Sequence, residues 1–283
     1  NIIGEPVRRD TAAAVALACA VVKARDPEGV FCIVTADHVM GDLDLYRQTL
    51  AESLTLAAGS DVLVTIGITP TEPSTAFGYV EAADDVETPG ATLFRKVSRF
   101  VEKPDLETAQ QYVDSGRFSW NSGMFIWSVD SVAAAFRAHT PALADLIDAL
   151  VPTVDTPGFD AAILAGFDPL EKISIDYALM EKADNIVMAE GRFDWHDVGS
   201  WPEVAPHLTS DDAGNAVTGE AAILDALNNI VVSNGRLTAL IGVEDLIVVH
   251  TENATLICPK DRAQDVKKMV TQLRETGQHD HLL

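Results

Sequence analysis

The stretch that decides the fold is VFCIVTADH, residues 30–38, an apolar run that ends on Asp37 and its histidine neighbour. A run of this length with no polar alternation predicts a strand buried on both faces. Helix-like segments flank it at 11–23 and 43–58, and a second apolar run follows at 61–68. Helix, strand, helix and strand in this order predict right-handed crossovers and a mainly parallel sheet covered by helices, which is an α/β fold.

The pattern of elements changes at about Pro206. Before it we predict further strands at 97–101 and 186–189, helices at 106–115, 129–151 and 173–183, and a loose connection at 153–166. After it, short β runs alternate with Asn-Asn, Asn-Gly and Glu-Asn turn signals, and a helix follows at 263–273. The sequence therefore predicts two domains, 1–206 and a β-rich region 207–283 that ends in a helix.

Composition restricts the classes of function. The chain has 283 residues and a net charge of −23, which argues against a nucleic-acid partner because phosphate backbones are bound by clustered Lys and Arg. No apolar run reaches the ~18 residues of a membrane span, and the sequence as given has no charged-then-apolar leader. We therefore expect a cytoplasmic protein without a membrane partner. Cys19, Cys32 and Cys258 have no paired spacing and are expected to be reduced core residues.

The acidic turn DWHDVGSW, residues 194–201, is the first candidate for chemistry. Ligands of open α/β sheets bind beyond the carboxyl ends of the strands, where the sequence pattern places both Asp197 and Asp37. Two such carboxylates can share one Mg²⁺, as chemistry on a nucleoside triphosphate requires. In the alternative interpretation, Asp197 caps a turn while Trp195 and Trp201 lie in the core.

Two further motifs combine groups that a sugar phosphate would need. Glu102 and Lys103 stand before a proline that ends the strand, so that Lys103 can neutralise a phosphate and Glu102 can accept sugar hydroxyls. The motif WNSG, residues 120–123, joins an aromatic ring, the Asn121 amide and a glycine that permits close approach of a ligand. A surface ion pair and a turn with a buried tryptophan remain the alternatives for each motif taken alone.

Residues near two helix termini are candidates for phosphate or nucleotide binding. Arg9, with Glu5 and Pro6 before it, stands at the start of the first predicted helix, and the helix amides beyond Thr11 can face a triphosphate or base. Lys182 lies near the end of another predicted helix and can act as a second phosphate cation. A basic loop before a capped helix and a solvated lysine are the respective alternatives.

The order of the motifs is more specific than any one of them. Along the chain they read EPVRRDTA (5–12), TADH (35–38), FGYV (77–80), FVEKP (100–104), WNSGMF (120–125), SIDY (174–177) and WHDVGSW (195–201). In this order the chain resembles the mannose-1-phosphate guanylyltransferases (GDP-mannose pyrophosphorylases) of the bacterial type, from residue 1 to about 270. The WNSGMF and DVGSW segments are the most specific parts of the resemblance.

The resemblance implies a nucleotidyltransferase domain of the GT-A/Rossmann-like kind and a small left-handed β-helix-like region after it. It implies transfer of GMP from GTP to mannose 1-phosphate with release of pyrophosphate. The implied catalytic residues are Asp37 and Asp197, which would hold Mg²⁺, and Lys103, which would contact the sugar phosphate. The resemblance also implies contacts to the sugar from Gly78, Glu102 and Asn121. It implies contacts to the nucleotide from Glu5, Pro6, Arg9 and Thr11. Lys182 stays the second candidate cation for the substrate.

The chain departs from the family pattern at several positions. Asp10 and Ala13 stand where the first motif usually has Asn and Pro, and Asp10 would repel phosphate unless it is turned away. Phe77 stands where a tyrosine is usual. The glycine-rich GGxGTR segment of the family precedes the position of Asn1. We therefore expect either that the sequence given lacks the N-terminal part of the domain or that the chain does not catalyse.

Other functions of related kinds stay open at this point. One is a nucleotidyltransferase for another sugar 1-phosphate or another nucleotide. A second is a non-catalytic regulatory subunit that binds a sugar nucleotide. A homodimer is a further expectation, because a β-helix-like tail often supplies a subunit contact in related enzymes.

Overall fold

The computed structural model describes residues 2–277. The chain forms two compact units. The first unit comprises the chain up to Ala36 and Met40–Trp195, and the second comprises Asp37–Val39 and the chain from His196 onward. The predicted domain boundary near Pro206 stays a prediction. None of the helices in the described part of the chain is long and apolar enough to cross a membrane.

A six-stranded sheet forms the centre of the first unit. In chain order the strands up to His196 are β1 Val30–Ile33, β2 Val39–Met40, β3 Leu63–Ile68, β4 Tyr79–Val86, β5 Phe94–Val101, β6 Phe118–Ser128, β7 Ile186–Gly191 and β8 Trp195–His196, of which β2 and β8 pair with each other in a separate two-stranded sheet. The spatial order in the sheet is β1-β6-β3-β7-β5-β4. The helices are α1 Thr11–Arg25, α2 Leu43–Gly59, α3 Leu106–Ser115, α4 Val129–His139, α5 Pro141–Leu150 and α6 Phe159–Phe167, with a 3₁₀ turn at Val151–Thr153 and a π-helical turn at Asp176–Met180.

The α/β class is confirmed, but the prediction of a mainly parallel sheet is wrong. Among the described pairings of this sheet, β3 and β7 are parallel. Strand β6 runs antiparallel to β1, β3 and β4, and β5 runs antiparallel to β4 and β7. An apolar run indicates burial on both faces and does not fix the direction of a strand. The short loop between β4 and β5 makes them a hairpin, which is antiparallel by necessity.

Most predicted helices are present, and the differences have local causes. The segment 129–151 forms two helices, α4 and α5, because Pro141 cannot continue the first of them. The segment 153–166, predicted as a loose connection, contains α6. This helix has no side-chain cap and includes a glycine, so that it lacks the usual sequence signals. The segment 173–183 forms only the π-helical turn.

Two hydrophobic clusters make up the core of the first unit. Strand β6 supplies both, because successive side chains of a strand point to opposite faces. Phe125 and Trp127 pack with residues of α1, α4 and α5, while Met124 and Ile126 belong to the other cluster. Cys19 is buried in the first cluster, and this burial raises its pKa to about 12. The three cysteines are free, as predicted.

Parallel coils build the second unit. Strands β9 Ala216–Thr218, β11 Ile230–Ser233 and β13 Leu246–His250 pair in parallel, β14 Thr255–Pro259 pairs antiparallel with β13, and β10 Ala221–Leu224 pairs in parallel with β12 Thr238–Ile241. The helical parts are α7 Trp201–Val204, 3₁₀ turns at Ala205–His207 and Lys260–Asp265, and α8 Val266–Thr276. A strand that returns in parallel after each coil is the pattern of a β-helix-like region, which confirms this part of the predicted fold.

Two buried asparagines connect successive coils of the second unit. Asn215 and Asn229 are both fully buried. The Asn229 side chain donates to the Asn215 side-chain carbonyl at 2.9 Å and to the Val243 carbonyl at 3.1 Å, and it accepts from the Leu246 amide at 2.9 Å. The amide groups therefore satisfy backbone groups that the turns between strands leave without ladder partners.

Replacing Asn229 with alanine is expected to lower the free energy of unfolding by roughly 2–4 kcal/mol, because it leaves several buried polar groups unpaired. Chemical denaturation measures this loss. The matched control is Asn234→Ala, since Asn234 lies exposed in a turn of the same unit. Equal stability of the two variants would show that the asparagine contacts do not hold the coils together.

Candidate active site

Five residues from four segments of the first unit form a polar cluster, namely Gly78, Glu102, Lys103, Asn121 and Asp176. Gly78 precedes β4, the Glu102–Lys103 pair follows β5, Asn121 lies on β6 and Asp176 opens the π-helical turn. Strands β4 and β6 are neighbours, and the backbone N–H of Asn121 donates to the backbone carbonyl of Gly78 at 2.8 Å. The sheet therefore brings together residues that are distant in the sequence.

The side-chain amide of Asn121 has a fixed orientation. Its carbonyl oxygen accepts from the Thr65 hydroxyl at 3.1 Å and from the Gly123 amide at 3.2 Å. Its nitrogen donates to Asp176 Oδ1 at 3.0 Å. Because the oxygen is engaged by two donors and the nitrogen by a carboxylate, the two ends of the amide cannot be exchanged.

Lys103 forms an ion pair with Glu102. Its Nζ is 3.1 Å from Glu102 Oε1, and the Glu102 side chain is only 11% exposed. Burial lowers the pKa of Lys103, but Glu102, with Asp176 and Tyr177 nearby, outweighs this effect and the pKa is raised. Burial and the Glu102 charge raise the pKa of Asp176 to about 6, against the opposing effects of Asn121 and Lys103. The cluster thus holds one cation that an anionic ligand can bind.

Gly78 leaves room for the Glu102 side chain. A Cβ at this position would lie 2.4 Å from Glu102 Oε2 and 3.4 Å from the Asn121 Cβ. Such a Cβ would displace the carboxylate, which is the movable end of a flexible side chain, while the backbone of β4 could stay in place. The absence of a side chain therefore serves the polar cluster.

The Gly78→Ala substitution is expected to reduce the apparent affinity for GDP-mannose, the product that the family resemblance implies, about tenfold, with little change in thermal stability, because one charged hydrogen-bonding group is displaced. Ligand titration together with a melting curve measures both quantities. Gly59→Ala is the matched control, since a Cβ at Gly59 would meet no atom within 4 Å. Unchanged affinity in Gly78→Ala would exclude Glu102 from ligand binding.

Three aromatic rings hold the loop that leads to Gly78. The Phe77 ring packs edge-on against Trp120 at 5.0 Å and against Trp195 at 5.2 Å between centroids. The hydroxyl of Tyr79 donates to the Ser74 carbonyl at 3.0 Å. Trp120 and Trp195 are buried, which agrees with the interpretation of both rings as core. That role is compatible with a site beside them.

The two predicted metal ligands belong to the second unit. Asp37 is exposed and Asp197 is half-buried. Burial lowers the pKa of His38, and this effect is larger than the opposing effect of the two carboxylates, whose negative charges raise that pKa. Burial and a hydrogen bond with Asp197 raise the pKa of Glu203. Within residues 2–277 no three His, Cys, Asp or Glu side chains are grouped as a metal cage. Two hard carboxylates fit Mg²⁺, which usually keeps several waters and takes phosphate oxygens of the substrate as further ligands.

The Asp197 turn has an unusual backbone. Val198 has φ 51°, in the left-handed region that a β-branched residue rarely adopts. Asp197 Oδ1 accepts from the Gly199 amide at 3.0 Å, so that Asp197 does cap its turn, as the alternative interpretation supposed. Trp201 is half-buried against a cluster of the second unit. The Asp197 carboxylate thus contacts both the Gly199 amide and Glu203, and its role as a metal ligand stays a prediction.

The predicted nucleotide-binding residues make contacts within the chain. Arg9 donates to the carbonyls of Phe167 and Asp168 at the end of α6, and the Thr11 hydroxyl accepts from the Ile175 amide at 2.8 Å. Glu5 and Thr11 help to line a pocket of about 310 Å³, with Arg8, Asp10, Ala14 and Lys172, and Pro6 is exposed beside it. Asp10 is turned toward α1, since its carboxylate caps the Thr11 amide. The nucleotide role of these residues stays a prediction.

The polar cluster contains one residue that was not predicted, Asp176, and does not contain the predicted residue Lys182. Asp176 was not predicted as a site residue, although it stands in the SIDY motif, and its contact with Asn121 spans 55 positions of the sequence. Lys182 is exposed, three residues beyond Leu179, whose carbonyl its amide contacts. Its side chain is not part of the polar cluster, and its role as a second cation stays a prediction.

Comparisons with known proteins show the family of the chain. The sequence pattern of the nucleotidyl transferase family matches residues 1–208, and that of the MannoseP isomerase/GMP-like beta-helix domain matches residues 219–273. The chain belongs to the nucleotidyl transferase family. This nucleotidyl transferase carries its polar cluster and its Asp37–Asp197 pair within the matched region.

Some relatives of this nucleotidyl transferase have names that state a specific reaction or biosynthetic role. The chain is 35% identical to a mannose-1-phosphate guanylyltransferase of Escherichia coli (strain K12), over 99% of this chain and 59% of the relative. It is also 35% identical to the alginate biosynthesis protein AlgA of Pseudomonas aeruginosa, over 99% of this chain and 58% of the relative. The chain thus spans about three fifths of these relatives. The predicted resemblance to guanylyltransferases is confirmed.

A solved structure has the same fold. It comes from Thermus thermophilus and is described as a mannose-1-phosphate geranyltransferase. Its TM-score is 0.81 at 32% identity, over 96% of this chain and 77% of that one. The predicted nucleotidyltransferase domain with a β-helix-like C-terminal region is therefore confirmed.

Proposed function

We propose that the protein transfers GMP from GTP to mannose 1-phosphate and releases pyrophosphate, giving GDP-mannose. The observation that carries the proposal is the polar cluster, in which a lysine held by Glu102 lies beside an asparagine of fixed orientation. The lysine suits a phosphate, and the asparagine suits sugar hydroxyls. The guanylyltransferase relatives, similar along nearly the whole chain, support this choice of substrates.

The residues of the cluster would act by binding and alignment. An oxygen of mannose 1-phosphate attacks the α-phosphorus of GTP, the new P–O bond forms, and the bond to the β-phosphate oxygen breaks so that pyrophosphate leaves. The attacking phosphate is ionised near neutral pH and has no proton to lose, so that no general base is needed. Lys103 would neutralise the phosphate, and Glu102 and Asn121 would fix the sugar, with Gly78 allowing its close approach.

Members of the nucleotidyl transferase family generally use a divalent metal, and we propose Mg²⁺, held by Asp37 and Asp197. Both ligands are carboxylates, which Mg²⁺ prefers over nitrogen or sulfur. When bound, the ion would neutralise charge on the triphosphate. Glu5, Pro6, Arg9 and Thr11 are proposed to face the nucleotide, and Lys182 to assist substrate binding, on the sequence argument alone.

The remaining proposals concern the context of the reaction. We propose that residues 1–206 form the transferase domain and residues 207–283 the β-rich domain. The protein is proposed to act in the cytoplasm, since three free cysteines suit a reducing compartment. Neither nucleic acid nor a membrane is proposed as a partner, and a homodimer stays a prediction.

Substrate choice tests the proposed function. The full-length protein should use GTP with mannose 1-phosphate at a higher kcat/KM than ATP, UTP or dTTP, and mannose 1-phosphate at a higher kcat/KM than glucose 1-phosphate. Pyrophosphate release measures all combinations in one assay. A preference for another nucleotide or sugar would replace the proposal by a nucleotidyltransferase of different specificity.

A further inference from the structure

Asp176 is the one member of the polar cluster to which neither the motif analysis nor the comparisons give a role. Its carboxylate accepts the Asn121 side-chain amide at 3.0 Å. It also lies close enough to Lys103 and Glu102 for their charges to act on it. No atom of Asp176 is needed for the reaction proposed above, so that its position requires another explanation.

The backbone around Asp176 is held from several sides. The Thr11 hydroxyl accepts from the Ile175 amide at 2.8 Å, just before Asp176. The Asp176 carbonyl accepts from the Glu181 amide at 2.9 Å, which closes the π-helical turn. Ile175 and Leu179, on either side, are buried in the first hydrophobic cluster. The carboxylate is therefore presented to Asn121 by a rigid segment.

The charges around Asp176 are few. Glu102 and Lys103 face it from the loop after β5, Asn121 faces it from β6, and Tyr177 is its neighbour in the chain. Glu181, from the same segment, accepts from the Glu102 amide at 3.3 Å. Helix α4 packs on the turn with apolar side chains, among them Val132 and Phe136. Lys103 is thus paired with Glu102, and its charge also acts on the half-buried Asp176.

We propose that Asp176 is a positioning residue of the sugar-phosphate site, where its carboxylate orients the Asn121 amide and balances part of the Lys103 charge until an anionic ligand binds. This proposal rests on the proposed function of the cluster. Without Asp176, the Asn121 nitrogen would lose its acceptor, and the amide would be held only through its oxygen by Thr65 and Gly123. With Asp176, the nitrogen is fixed and the sugar meets a single arrangement of donors and acceptors.

Ligand binding should then change the ionisation of Asp176. A phosphate that binds Lys103 takes away the cation that favours the carboxylate and adds a negative charge. The pKa of Asp176, already about 6, rises further, so that Asp176 takes up a proton between pH 6 and 7. Binding linked to proton uptake becomes stronger as the pH falls through this range.

Calorimetric titration with GDP-mannose in the presence of Mg²⁺ tests the proposal, because the ligand itself does not titrate between pH 6 and 7. Measured at pH 6.5 in two buffers of different ionisation enthalpy, the wild-type protein should take up a fraction of a proton. Asp176→Asn, whose side-chain oxygen can still accept the bond from Asn121, should take up less, whereas Asp176→Ala removes this acceptor and should bind about tenfold more weakly than Asp176→Asn. Asp114→Asn, the same change at an exposed site on α3, should match the wild type.

The outcomes separate the two proposals. Failure of the wild type to bind GDP-mannose would contradict the proposed function and the role of Asp176 together. Equal affinity of Asp176→Ala and Asp176→Asn, with proton uptake in both equal to that of the wild type, would overturn only the role of Asp176. If Asp176→Asn does not melt cooperatively, the wild type decides, since absence of proton uptake in it would also overturn the proposal.

Discussion

Replacing Asp197 with asparagine is expected to lower turnover about 10³-fold, because a neutral amide is a poor ligand for Mg²⁺ and charge neutralisation by a metal contributes several kcal/mol to such reactions. The effect should appear in kcat at saturating substrate. It should be accompanied by a higher Mg²⁺ concentration at half-maximal rate. Initial rates measured over a series of Mg²⁺ concentrations give both quantities.

The control for Asp197→Asn is the same substitution at Asp212, which is exposed in the same unit. Asp212→Asn removes one negative charge from the second unit without touching the turn. Asp197 also caps that turn through the Gly199 amide, but an asparagine oxygen can still accept this bond, so that the turn should survive. An intact Mg²⁺-dependent rate in Asp197→Asn would show that the metal assignment is wrong.

Replacing Lys103 with methionine is expected to lower kcat/KM for mannose 1-phosphate about 10²-fold, as expected when a charge-assisted contact to phosphate is lost. The KM for GTP should change much less if Lys103 contacts the sugar phosphate alone. Steady-state kinetics with each substrate varied in turn separates the two effects.

Lys96→Met provides the matched control, since Lys96 is an exposed lysine on the same strand, β5. Lys182→Met gives a second comparison, because Lys182 was predicted as a phosphate cation and lies exposed outside the polar cluster. A larger effect in Lys182→Met than in Lys103→Met would transfer the phosphate-binding role to Lys182.

The local elements of this fold were largely predictable from the sequence, whereas their pairing was not. The helix predicted at 106–115 is α3, because its signals are local: Asp105 caps its start and Gly116, with φ 65°, ends it. The direction of β6 has no local signal, and its three antiparallel partners lie far away in the chain. For the same reason α6, without a cap, was not predicted.

The candidate site shows the same division. Glu102, Lys103 and Asn121 were predicted as site residues because each stands in a motif with a chemical interpretation of its own, and their ligand contacts stay predictions. Asp176 was not predicted, because its contact with Asn121 spans 55 positions of the sequence. Arg9 binds carbonyls 158 and 159 positions away, a contact that the sequence did not indicate, and its nucleotide role stays a prediction. Residue type and spacing indicate what a side chain is able to bind, and the fold determines which partner it meets.

Label transfer from GTP tests the central claim most directly. The full-length protein, incubated with α-phosphate-labelled GTP, mannose 1-phosphate and Mg²⁺, should form labelled GDP-mannose and one equivalent of unlabelled pyrophosphate. Both products should be absent when mannose 1-phosphate is omitted. Binding of GDP-mannose with no label transfer by the full-length protein would contradict the account and indicate a non-catalytic sugar-nucleotide-binding subunit instead.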